Sequence, residues 1–102
     1  MNAAIDMHGQ ELRRLCREFH VLRLEVFGSA VRADFNPRQS DFDFLVEFAQ
    51  LPAAHYAAAF LGFKEALEGL FHRPVDLVVA SAIRNPYFRE SIEQGKALLY
   101  AA

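Results

Sequence analysis

Apolar residues recur at Leu12, Leu15, Cys16 and Phe19, the spacing of one helix face, and predict an amphipathic helix of about three turns. Arg13, Arg14 and Arg17 fall mostly off that stripe and are expected on its solvated side. The segment VLRLEVFG then sets Leu22, Leu24 and Val26 against Arg23, Glu25 and Phe27, which predicts a strand ending at Gly28. SAVRADF is expected to form a short helix with Ser29 as its N-cap. NPRQS reads as a loop. In DFDFLVEF the period is two again: Phe42, Phe44, Val46 and Phe48 share one face, and Asp41, Asp43, Leu45 and Glu47 the other.

Pro52 opens a long helical segment to about Phe71, with a buried stripe of Tyr56, Phe60, Phe63, Leu67, Leu70 and Phe71. Gly62 is a weak point within it. HRP breaks the pattern, and VDLVVA is a third strand. Pro86 fits the first turn of a last helix that stops near Gly95, and KALLY is a short closing strand or a helix-end tail. Helices alternating with strands in this way predict an α/β or α+β domain, with helices covering a sheet.

The 102 residues suffice for one domain, and 53% hydrophobic content is enough to build a core. The net charge of −2 comes without a basic stripe, which argues against an extended nucleic-acid surface. The single cysteine, Cys16, cannot form an internal disulfide and is expected in the core of a cytoplasmic protein. There is no signal-peptide pattern, and the run AAHYAAAFLGF is too short and interrupted to span a bilayer.

The chemistry concentrates in GSAVRADFNPRQSDFDF, residues 28–44. Asp41 and Asp43 project from one face of a strand, and two like charges that close repel unless a cation or proton intervenes. Hard carboxylate oxygens suit Mg²⁺. Asp76 is the sole charged residue in PVDLVVA. If its strand lies beside DFDFLVEF, three carboxylates converge, enough for two Mg²⁺ ions across an in-line phosphoryl displacement. Gly28 lets backbone approach a ligand, the following helix start suits phosphate, Ser29 adds a hydroxyl and Arg32 can neutralise phosphate charge. Each piece also has an ordinary structural reading: a turn, a polar strand edge, a surface arginine, or Asp76 paired with Arg73 or Arg84. Their joint order carries the weight.

FGSAVRADFNPRQSDFDFLVEF followed by VDLVV resembles the minimal nucleotidyltransferase domains of the DNA polymerase β superfamily. The resemblance extends to the tail AIRNPYFRESIEQGKALLY and so covers nearly the whole chain as a single domain, 1–102. It implies the nucleotidyltransferase fold, a mixed sheet flanked by helices. It implies that Gly28 and Ser29 hold a triphosphate, that Asp41 and Asp43 bind Mg²⁺, and that Asp76 completes the metal site and helps deprotonate an acceptor hydroxyl. The implied reaction moves AMP from ATP and releases pyrophosphate. One departure is Ala33 after Arg32, where relatives often carry Gly. Small relatives are commonly antitoxins whose partner is a HEPN-domain ribonuclease toxin, which the resemblance implies is adenylylated on a tyrosine.

Other readings are a module that neutralises a toxin by binding alone, and transfer to a small molecule such as an aminoglycoside. A homo-oligomer could supply missing acceptor surface. A zinc site is disfavoured, because His8, His20, His55 and His72 lack paired ligand spacing.

Overall fold

A computed structural model describes residues 3–32 and 41–102. Two helices open the chain, α1 (Ala3–Met7) and α2 (Gly9–Glu18). Strand β1 (Val21–Phe27) runs into a 3₁₀ turn, Gly28–Val31. Then come β2 (Phe42–Phe48), α3 (Ala53–Phe71), β3 (Val75–Val79), a second 3₁₀ turn at Ala80–Ala82, α4 (Pro86–Glu93) and β4 (Ala97–Ala101). The strands form one mixed sheet in the order β3-β2-β1-β4. β1 is antiparallel to both β2 and β4, whereas β2 and β3 are parallel across the α3 crossover.

The period of two in β2 works as expected. Phe42, Phe44, Val46 and Phe48 are buried against α2 and α3, together with Leu12, Leu15, Phe63 and Leu67. Arg13, Arg14 and Arg17 are exposed, and Arg14 pairs with Glu11 and Glu18. Cys16 is fully buried, and that burial pushes its thiol up to about 12. At neutral pH a maleimide should therefore label Cys16 only as fast as the chain unfolds, and rapid labelling of the native protein would contradict this packing.

The opposite sheet face carries a smaller cluster, Phe27, Leu45 and Ile92, beneath α4. α4 begins with Asn85 as N-cap, whose Oδ1 accepts from the N–H groups of Tyr87 and Phe88. Its other anchor is Arg89, which donates to the carbonyls of Ala80 and Ile83.

Several expectations are corrected. Leu22 is exposed, not core, because a bulge between Val21 and Arg23 shifts the register and gives its place to Val21. Phe27 keeps its expected side of β1, but α4 covers that side there and buries the ring with Leu45 and Ile92. Ser29 caps no helix: the turn is 3₁₀, its N-cap position is Phe27, and no side chain caps it. Gly62 is a contact, since a Cβ there would lie 2.7 Å from the Phe19 ring and would have to push that ring aside. α1, with Ile5 buried, went unpredicted. Ala33 and the NPRQS loop lie outside the described residues.

Glu25 is buried on the α4 side of β1, 3.3 Å from Arg23 Nε and 3.1 Å from Lys96 Nζ. Lys96→Met leaves this carboxylate with Arg23 alone and is expected to cost about 1–3 kcal/mol in denaturant unfolding. An unchanged midpoint would mean that solvent already serves Glu25. Among the described residues no helix is long and apolar enough to cross a membrane.

Candidate active site

Phe42 decides where the acids point. Its ring is fully buried, 4.6 Å from the Phe71 centroid, and the Arg73 guanidinium lies 5.0 Å above it. With Phe42 held inward, strand alternation turns Asp43 to the opposite face. β3 is placed by the way α3 ends: His72 adopts left-handed φ 54° as its C-cap, and Pro74 follows. The Glu68 carboxylate then accepts from Val75 N–H at 3.0 Å, fixing the start of β3 and hence the position of Asp76.

The resulting register is direct. Asp43 is paired with Asp76 on β3 and with Phe27 on β1. One row across three strands therefore reads Phe27, Asp43, Asp76, with neighbouring strands about 4.8 Å apart. Gly28 follows Phe27 at φ +72°, and a Cβ on it would overlap Asp43 Oδ2. The glycine is thus required twice, by its backbone angle and by the carboxylate against it.

Asp43 is half-buried, while Asp41 and Asp76 are exposed. The pKa of Asp43 is raised, first by burial, then by the charges of Asp76 and Asp41, against a lowering by Arg32. Asp76 is exposed because strand alternation turns it away from the core that Val75, Leu77 and Val79 face. Its suggested structural partner Arg73 turns instead to the Phe71 carbonyl and the Phe42 ring. The three acids share a row end and a face rather than a closed cage: among the described residues no group of three or more His, Cys, Asp or Glu stands ready to hold a metal.

A cleft of about 480 Å³ opens on the β1 side of Asp43. Gly28, Arg32, Asp43 and Phe27 form one wall, and Phe88, Ser91, Gln94 and Gly95 of α4 and its end form the other, over Ile92. That size falls within the range of small-molecule sites. Ser29 is half-buried beside the cleft without lining it, and its carbonyl accepts the Arg32 N–H at 3.1 Å. The α4 wall was missed because no motif marks it. The available signal was parity: Phe27 and Leu45 are apolar residues on the polar sides of their strands, so something had to cover them.

Residues 10–99 match the nucleotidyltransferase domain family. A Methanocaldococcus jannaschii protein to which protein adenylyltransferase activity is ascribed is 36% identical over 89 residues, 87% of each chain. Protein adenylyltransferase MntA of Thermococcus cleftensis is 34% identical over 85 residues, 83% of this chain and 79% of the relative. Among solved structures, one described as a minimal nucleotidyltransferase superposes with TM-score 0.76 at 28% identity over 95% of both chains. A Shewanella oneidensis complex of a tri-AMPylated HEPN toxin with its MNT antitoxin matches in fold, with TM-score 0.65 at 17% identity, covering 95% of this chain and 72% of that one. The mixed sheet is thus a known arrangement, and this chain belongs to the nucleotidyltransferase domain family as a minimal nucleotidyltransferase enzyme.

Proposed function

We propose that this nucleotidyltransferase moves AMP from ATP onto a tyrosine hydroxyl of a HEPN-type ribonuclease toxin and acts as its antitoxin. The observation that carries the reading is the Asp43–Asp76 pair in one sheet row with Gly28 against Asp43. The relatives named as protein adenylyltransferases support the reaction class, and the fold shared with an MNT antitoxin in complex with an AMPylated HEPN toxin supports the partner.

The donor set fits Mg²⁺. Asp41, Asp43 and Asp76 offer only hard oxygens, and the raised proton affinity of Asp43 marks a place where added positive charge is welcome. Asp43 and Asp76, with Asp41 alongside and the substrate phosphates completing a set the side chains leave open, would hold the metal, which when bound supplies charge neutralisation at the phosphates. Gly28 admits the phosphate chain close to the backbone, and Arg32 offsets its charge. Asp76 accepts the proton of the attacking hydroxyl. The oxygen so freed bonds to the α-phosphorus, the α–β bridging P–O bond breaks, and pyrophosphate leaves with the electron pair.

The test is α-labelled ATP with Mg²⁺ and the candidate toxin. Label is expected on the toxin and is expected to disappear when its acceptor tyrosine becomes Phe. No transfer by protein with verified metal binding would overturn the reading. Protection of cells by Asp43→Asn would show instead that binding alone neutralises the toxin.

A further inference from the structure

The sheet register gives Asp43 two distinct flanks: Asp76 on the β3 side and Gly28 on the β1 side. With Asp76 serving the acceptor hydroxyl, the acceptor approaches over β3, and the cleft over β1 is left to the nucleotide. That cleft has two unlike walls. Gly28, Arg32 and Asp43 make a charged wall suited to phosphates and metal. Phe88 and Gln94 bring an aromatic ring and a neutral amide to the α4 wall.

Phe88 meets Phe27 at 6.3 Å between centroids and 74° between planes, yet remains 41% exposed. The contact fixes the ring and leaves area open for stacking. The helix presenting it is held by the Asn85 cap, by Arg89 on two carbonyls and by Ile92, which is 2% exposed. A ring on so anchored a helix is preorganised. The Gln94 amide carries a donor and an acceptor side by side, the pair that matches the N6/N7 edge of adenine.

We propose, resting on the adenylyl-transfer reading above, that Phe88 and Gln94 are the base-recognition wall: the nucleobase stacks on Phe88 while Gln94 reads the adenine edge. α4 then selects the nucleotide, and the sheet end handles only phosphates and acceptor.

The experiment compares binding of Mg-ATP and Mg-tripolyphosphate, which lacks a base, to wild type, Phe88→Ala, Phe88→Leu, Phe88→Tyr and Gln94→Ala. Phe88→Leu keeps apolar packing on Phe27 and loses only the ring. Both Phe88→Ala and Phe88→Leu are expected to weaken ATP at least about five-fold, with tripolyphosphate unchanged and Phe88→Tyr restoring affinity. Gln94→Ala is expected to reduce the preference for ATP over GTP. Undiminished ATP affinity in Phe88→Leu, or equal weakening of ATP and tripolyphosphate, overturns the assignment. Base-dependent binding in a wild type that transfers no AMP would refute the adenylyl-transfer reading and leave this wall standing. Binding of neither ligand would sink both.

Discussion

Asp43→Asn is expected to lower AMP transfer by about a hundred-fold or more while making the metal-free protein more stable at neutral pH. The first effect follows from its position, since Asp43 is the middle of the row, lines the cleft and pairs in register with Asp76. The second follows from linkage. Burial, Asp76 and Asp41 raise the folded-state pKa of Asp43 above its ordinary 3.8. The native chain therefore holds that proton more tightly than the unfolded chain. The resulting stability is fully present below the unfolded value and is lost as pH rises through the folded one. At neutral pH the wild type has lost it, and an asparagine that cannot ionise escapes the loss. Thermal midpoints of wild type and variant should accordingly converge as pH is lowered, and Mg²⁺ should raise the wild-type midpoint alone. A variant less stable than wild type at neutral pH, without metal, would show that Asp43 is compensated by a partner in the fold.

Gly28→Ala is the second large effect. An alanine at φ +72° costs about 1 kcal/mol from backbone geometry alone. Its methyl would also occupy the place of Asp43 Oδ2, so the carboxylate must swing away. Displacement of a reacting group by about 1 Å costs on the order of a hundred-fold in rate. Activity is thus expected to fall about as far as in Asp43→Asn, with a lowered rather than raised thermal midpoint. A double-mutant cycle separates the two causes. In an Asp43→Ala background the overlap is gone, and Gly28→Ala should cost only the backbone part. Equal stability losses in both backgrounds would deny the contact.

Much of this site was readable because strands alternate. Phe42 and Phe44 had to share a face, so Asp41 and Asp43 had to share the other, and the lone acid of VDLVVA marked a third strand. What spacing along the chain cannot carry is strand order. That β3 pairs with β2 residue for residue, Asp43 against Asp76, depends on where α3 ends and on the Glu68 bond to Val75 N–H. Leu22 misled because a bulge adds a residue to β1, and a period of two cannot foresee it. Gly62 looked like a helix defect because the Phe19 ring packed against it belongs to another element. The α4 wall was hidden for the same reason: Phe88 and Gln94 acquire meaning only once Ile92 seats the helix on Phe27 and Leu45.

The parallel pairing of β2 with β3 has a kinetic side. Asp43 and Asp76 become neighbours only after the whole of α3 has crossed over the sheet, a long-range closure that small proteins complete slowly. A pairing of that sequence separation is expected to form after the local ones, so a cation that relieves the repulsion is expected to lengthen the lifetime of the folded state more than to speed folding.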